Sequence, residues 1–214
     1  MTVGKVMHTN LVLRYYAFAY DMLSKPAEHA GLAARRHELL SLATGATLEL
    51  GAATGLNLRH YPQAVSQLVL TEPNPHMLRQ MRRRVAKVRP GTAVLQANAE
   101  LLPFPDASFD TVVVIFTLCN VPDQRRAIEE TTRVLVPGGR LLFLEHVRSA
   151  DSAIAAKQDR IPLPYRMLGC HPNRNTLGRL ELSELELESV ERGYVPKAPD
   201  IERPMIVGVA RKPP

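Results

Sequence analysis

Tryptophan is absent from this 214-residue chain, and aromatic residues of all kinds make up only 5% of it. That leaves few platforms on which unpaired bases could stack, so no nucleic-acid partner is expected despite a formal net charge of +6. The densest cationic stretch, Arg79, Arg82, Arg83, Arg84, Lys87 and Arg89, alternates at helical spacing with Met77, Leu78, Met81, Val85 and Val88. That is the pattern of a solvated helix face. Cysteine is scarce: Cys119 and Cys170 stand alone, without metal-ligand spacing, and free thiols suit a reducing compartment. No apolar run approaches the ~20 residues of a membrane-spanning helix, and the N-terminus lacks the basic-then-apolar pattern of a secretory signal. The expectation is a soluble cytoplasmic protein with no membrane partner, and its oligomeric state is left open. No metal cluster is evident, although scattered acids and histidines leave a divalent cation open.

The 45% hydrophobic content is enough for one good core, and no linker or repeat divides the chain. Residues 9 to 24 read as an amphipathic helix, and Pro26 as the start of a second one reaching about Thr44. Strands are expected at 47–50, 67–72, 92–96, 111–116 and 140–146, with helices at 75–88 and about 122–136 between them. Pro137-Gly138-Gly139 should turn the chain into the fifth strand. Alternating segments 186–192 and 204–212 read as two more strands. Parallel strands with intervening helices imply a doubly wound α/β sheet that takes its ligands at the carboxyl ends of the strands.

The segment Thr47-Leu-Glu-Leu-Gly-Ala-Ala-Thr-Gly-Leu-Asn57, followed by Glu72 at the end of the next apolar run, describes a nucleoside-binding turn. Glycines let backbone approach a ligand, and a strand-terminal carboxylate can hold two ribose hydroxyls. The dinucleotide fingerprint GxGxxG fits poorly. Gly51 and Gly55 are three residues apart, Ala53 stands at the middle glycine and Leu56 at the last. With Glu49 two positions before Gly51, the turn resembles motif I of the class I S-adenosylmethionine (SAM) methyltransferases. Asn98-Ala-Glu-Leu-Leu-Pro-Phe-Pro-Asp-Ala-Ser-Phe-Asp110 and Arg133-Val-Leu-Val-Pro-Gly-Gly-Arg-Leu-Leu-Phe-Leu-Glu-His146 resemble segments of the ubiquinone/menaquinone C-methyltransferase-like group. Phe116-Thr-Leu-Cys-Asn-Val-Pro-Asp123, Leu168-Gly-Cys-His171 and Arg203-Pro-Met-Ile-Val-Gly-Val-Ala210 are similar to the small subgroup of membrane-anchored alkyl-thiol methyltransferases. This chain departs from that subgroup in having no aromatics in 150–160, and it is expected to lack the N-terminal anchor.

The resemblance implies a single domain over 1–214: lid helices in 1–44, a SAM-binding core in 47–147, and an acceptor-pocket wall with closing strands in 148–214. The fold would be a Rossmann-like seven-stranded sheet whose last strand pair is reversed. SAM would bind and leave as S-adenosylhomocysteine. Gly51, Ala53 and Gly55 would face its methionine and ribose, Glu49 its ammonium directly or through water, and Glu72 the ribose hydroxyls. Pro73, Asn74 and Met77 would line the adenine edge, Asn98 and Ala99 would meet the ring, and Thr117 and Leu118 would pass under the methionine moiety.

Methyl transfer is an in-line displacement, so placing the acceptor in a dry pocket matters most. An alcohol also needs a base, whereas a thiol ionises far more easily. His146 beside Glu145 is the candidate base, since imidazole titrates near neutrality. Adjacent strand residues point to opposite faces, however, so the two need not pair. Tyr15, Tyr16, Tyr20, His171 and Arg174 are candidates for the substrate pocket. Because Asp151, Lys157, Gln158, Asp159 and Arg160 make the late segment polar, the first expectation is a small polar acceptor such as a sugar hydroxyl. S-methylation of a small thiol and C-methylation of a quinone precursor are the alternatives within the enzyme class. A SAM-binding interaction protein is the alternative outside it.

Overall fold

The computed structural model describes residues 3–163 and 169–214, with residues 3–10 by their backbone alone. Leu168 of the motif quoted above lies outside the described residues. Strands β1 (Ala46–Leu50), β2 (Gln67–Thr71), β3 (Ala93–Leu95), β4 (Phe109–Ile115), β5 (Leu135–His146), β6 (Glu186–Tyr194) and β7 (Pro204–Arg211) form one seven-stranded sheet. Their order is β3-β2-β1-β4-β5-β7-β6. The first five run parallel, while β7 pairs antiparallel with both β5 and β6. This is the Rossmann-like sheet with a reversed last pair.

Helices α1 (Val3–Ala27), α2 (Ala33–Leu40), α3 (Pro75–Val88), α4 (Gln124–Val134), α5 (Ser152–Asp159) and α6 (Thr176–Glu181) surround the sheet. Central strands buried on both faces need apolar residues at every position rather than at alternate ones. Accordingly Leu141 and Phe143 of β5 pack with Val112, Val114, Ile128 and Leu180 on one side. Leu142 and Leu144 pack with Val113, Leu40, Leu70 and Met81 on the other. The period-2 pleat thus divides one apolar run between two cores.

Several elements differ from the sequence expectations for local reasons. Pro26 starts no helix. It lies inside α1, and the break falls later, in a π-helical turn Glu28–Leu32 where Gly31 takes φ 122°, a value that suits only glycine. A short 3-10 segment, Leu56–His60, follows the glycine turn. Pro137, Gly138 and Gly139 fall within the bounds of β5, but the register skips them, with Phe109 paired to Leu135 and Thr111 to Arg140, and Gly138 takes φ 76°, so they form a bulge that leads into the paired part of the strand. Residues 148–183 are not merely loop: Asp151 caps α5 by accepting from Ala153 N and Ile154 N, and Asn175 caps α6 by accepting from Gly178 N.

Helix α1 is held over the carboxyl ends of the strands by polar contacts to α3 and the glycine turn. Asn74 Nδ2 donates to Leu13 O (3.4 Å) and Gln80 Nε2 to Ala17 O (2.7 Å). Asp21 accepts from Thr54 Oγ1 (2.5 Å) and from Arg84, which also reaches Thr54 O (3.0 Å). Among the described residues no helix is long and apolar enough to cross a membrane. Asp21→Ala removes the latch, and should speed hydrogen exchange of α1 amides about fivefold, on the order of 1 kcal/mol. Amides of β1, β4 and β5 should be unaffected; unchanged α1 exchange would reject the latch.

Candidate cofactor and acceptor site

The turn after β1 is built from left-handed backbone: Gly51 at φ 61°, Ala53 at φ 49° and Gly55 at φ 81°. Close approach requires the first glycine, since a Cβ there would sit 2.8 Å from the Thr117 side chain. Ala53 pays a steric cost that glycine would not, and Glu72 offsets it. The Glu72 carboxylate, buried just past β2, accepts from Ala53 N (2.9 Å) and Asn74 N (2.8 Å). About four lone-pair sites belong to a carboxylate. Two therefore stay available for a ribose diol. Burial pushes Glu72 up to about 7, against the pull of its two backbone bonds.

The Glu49 oxygens accept from Asn57 Nδ2 (2.7 Å) and Tyr61 OH (2.7 Å), and the group is buried. Glu49 thereby orients Asn57. Asn57 Oδ1 in turn accepts from Arg36 Nη1 (3.0 Å), and the Arg36 Nε donates to Glu28 (2.9 Å). Arg36 is only 4% exposed and carries its guanidinium over the Phe116 ring, 5.5 Å from the centroid. Sequence reasoning missed this residue. Arg35 and Arg36 are chemically alike, yet Arg35 turns outward to Glu191 (2.6 Å).

On the side expected to take adenine, Asn74 caps α3 by accepting from His76 N (2.9 Å), and Met77 and Ala99 are buried. Pro73 O accepts from Gln96 Nε2 (3.0 Å). Exposed Asn98 forms an isolated bridge with Leu101.

The ends of β4 and β5 form the other half. Glu145 is fully buried, and its carboxylate accepts from Thr117 N (2.7 Å), Leu118 N (2.9 Å) and Cys119 N (3.1 Å). Glu145 thus shapes the loop after β4 and is not turned toward His146, the candidate base beside which it was expected to act. Burial pushes Glu145 up to about 7 against those three bonds. Thr117 Oγ1 donates to Leu50 O (2.9 Å), tying the same loop to β1.

His146 points the other way and stacks on Phe116, rings 4.2 Å apart and 19° from parallel. Phe116 itself sits at φ 53°, a strained value for an aromatic residue. Burial depresses His146 to about 4, opposed by a hydrogen bond to the Glu202 backbone. The ring is therefore neutral at pH 7. Its Nδ1 is buried with no hydrogen-bond partner. A buried polar atom left unpaired is costly, which marks it as a group awaiting a ligand.

The pocket candidates separate. Tyr16 and Tyr20 meet edge to face, centroids 5.7 Å apart. Burial raises both hydroxyls, with Tyr20 lying near Arg36 and Glu72 and Tyr16 near Cys170, Glu202 and Cys119. The Cys119 thiol is also pushed up, by a hydrogen bond with Cys170 and by burial. Tyr15 is 73% exposed and belongs to the outer face of α1, not to the pocket. His171 N donates to Cys119 O (2.8 Å). Arg174 also departs from expectation: its guanidinium donates to Leu118 O (2.7 Å), Val121 O (2.6 Å) and Pro122 O (3.3 Å), and so fastens the loop.

Two groups fit SAM: the Glu72 carboxylate, with two acceptor positions left for a ribose diol, and the left-handed glycine turn, with room for backbone approach. Among the described residues no group of three or more His, Cys, Asp or Glu is placed to hold a metal ion. The Glu145 bonds can be probed at pH 8. In Glu145→Gln an amide NH2 must face at least one of the three backbone N–H groups, costing about 1–3 kcal/mol in urea denaturation. Unchanged stability would show that the carboxylate does not organise the loop.

A family profile described as a methyltransferase domain matches residues 48–143. The thiol S-methyltransferase TMT1A of Homo sapiens is 31% identical over 174 residues, covering 77% of this chain and 70% of that protein. TMT1B of Rattus norvegicus is 31% identical over 150 residues, covering 66% of this chain and 61% of its own length. The chain thus spans about three fifths of the rat protein. The ubiquinone/menaquinone biosynthesis C-methyltransferase UbiE of Hahella chejuensis is 37% identical over 122 residues, 55% of this chain and 49% of the relative. Among solved structures, a SAM-dependent methyltransferase from Thermotoga maritima, a possible histamine N-methyltransferase, superposes with a TM-score of 0.71 at 21% identity. That match covers 96% of this chain and 100% of the other, and shows the shared fold. With motif order, sheet topology and these relatives in agreement, the chain belongs to the class I SAM-dependent methyltransferases, in the group that includes the thiol S-methyltransferases and the ubiquinone/menaquinone C-methyltransferases.

Proposed function

We propose that this protein methylates the sulfur of a small thiol. The observation that carries the choice of acceptor is the fate of the polar residues between β5 and β6. Arg148 pairs with Asp159, Lys157 with Asp200 (2.8 Å), and Asp151 caps α5. Gln158 Nε2 donates to the carbonyls of Val147, Pro172 and Ile201, and Arg174 to those of the β4 loop. Asp151, Lys157, Gln158 and Asp159, four of the residues that suggested a sugar hydroxyl, are engaged in internal bonds, and the fifth, Arg160, is exposed. The names of the thiol S-methyltransferase relatives support the same choice.

When bound, SAM supplies an electrophilic methyl group on a sulfonium and leaves as S-adenosylhomocysteine. Glu72 and the Gly51–Gly55 turn hold its ribose and methionine parts, with Arg36 and Asn57 at the far end of the turn. His146 Nδ1 accepts the S–H hydrogen of the acceptor and orients its sulfur. Phe116, Leu118 and Tyr16 keep water from the reacting atoms. In the balanced reaction the acceptor's S–H bond and the donor's sulfonium–methyl bond break, a new sulfur–methyl bond forms, and one proton is released. A base held near 4 is far too weak for an alcohol, whose proton is lost only at very high pH, whereas a thiol ionises at about 8.5. The two buried free cysteines support a reducing, cytoplasmic setting.

Two measurements test this reading. Ribose hydroxyls bind the ionised form of Glu72, so cofactor binding below pH 7 must first expel a proton. Affinity for S-adenosylhomocysteine by titration calorimetry should be about tenfold weaker at pH 6 than at pH 8, and Glu72→Gln should flatten that dependence. A flat wild-type profile rejects the ribose role. In turnover assays, an alkyl thiol should be a substrate while the alcohol of the same skeleton is not. His146→Phe, which keeps the ring stack, should lower kcat/KM for the thiol about tenfold, the loss of one hydrogen bond, with cofactor affinity unchanged. Equal rates for alcohol and thiol would sink the proposal.

A further inference from the structure

Helix α1 is apolar on two opposite sides, and only one of them is covered. The inner side buries Ala17 and lends the carbonyls of Leu13 and Ala17 to α3. On the outer side Leu11, Tyr15, Phe18 and Met22 recur at i, i+4, i+7 and i+11, each between 55% and 80% exposed. Leu23 widens the row. Single exposed apolar residues are ordinary, but a contiguous helical row of them is not.

The surroundings of the row are cationic. Arg14 and Lys25 are exposed on the same helix, and neighbouring α3 exposes Arg79, Arg82, Arg83 and Lys87. The sole carboxylate of α1, Asp21, is committed to Thr54 and Arg84. An apolar row flanked by cations, with no free acid of its own, complements a surface that is apolar below and negative above. A second copy of the chain would instead bring these cations against one another. No described helix can cross a bilayer, so contact would be in the plane of the interface.

We propose that the outer face of α1 docks this protein on the surface of an anionic lipid bilayer. A membrane partner was not expected from the sequence, where an apolar residue facing solvent looks the same as one facing the core. The proposal stands apart from the identity of the methyl acceptor. Because α1 also lies over the glycine turn, docking would hold the covering helix at the lipid–water boundary.

Flotation of the full chain with vesicles tests it. The protein should rise with phosphatidylcholine vesicles that contain phosphatidylserine and stay in solution with phosphatidylcholine alone. High salt should weaken the association, as should Arg82→Glu with Arg83→Glu. Phe18→Glu with Met22→Glu should lower the bound fraction at least tenfold. Phe18→Ser with Met22→Ser, milder changes at exposed positions, should do the same with unaltered circular dichroism and S-adenosylhomocysteine affinity. The proposal is overturned if the wild type stays in solution with both vesicles, or if the Glu variant floats as well as the wild type. It is also overturned if sedimentation without lipid shows a dimer that the Glu variant dissolves, since the row would then belong to a second copy.

Discussion

The arrangement of the site depends on one buried carboxylate, Glu145, accepting three consecutive backbone N–H groups from the loop after β4. An ion at the centre of a sheet is unfavourable unless its lone pairs are filled. Successive amides at 117–119 fill them, and the chain must turn sharply to present them. Phe116 takes its positive φ directly before that turn. Thr117 is brought against Gly51, so the glycine is required there by contact as well as by conformation. One interaction across the β4–β5 edge therefore positions the cofactor turn on one side and Phe116 on the other.

A second consequence follows from the strand period. With Glu145 turned toward the loop, His146 must face the opposite side of β5, where it stacks on Phe116 while Arg36 covers the same ring. The stack gathers a cation, an aromatic face and an imidazole in a dry environment. Both burial and the Arg36 charge disfavour a second cation, so His146 is neutral. Its free Nδ1 offers an acceptor rather than a strong base. That favours a nucleophile that needs little help to ionise.

Helix α1 joins the interior to the outer surface. Its inner contacts run through backbone carbonyls and Asp21, which leaves its apolar side chains divided between a covered and an uncovered side. Tyr15 and Tyr16 are neighbours in the chain, yet Tyr15 faces solvent while Tyr16 meets Tyr20 edge to face and has its hydroxyl raised by burial. The helix that covers the site is thus also the one that presents the apolar row.

Much was legible from residue order alone. The apolar runs located all seven strands to within a few residues, the glycines at 51 and 55 and the acid at 72 marked the cofactor turn, and the order of motifs carried the family. These features are local: a strand, a left-handed turn and a strand-terminal carboxylate each leave their mark within a few residues. The partners of polar groups were not legible, because a side chain's bonds are chosen by what folding brings beside it. Glu49 found Asn57 and Tyr61, Arg174 found three carbonyls, Arg36 turned inward while Arg35 turned out, and Arg148 found Asp159 while Lys157 found Asp200. The sequence by itself determined the sheet, the methyl-donor turn and the family. Only the tertiary structure decided which polar groups stay unfilled, and hence which atoms are left to meet an acceptor, because burial and pairing are properties of packed neighbours rather than of chain position.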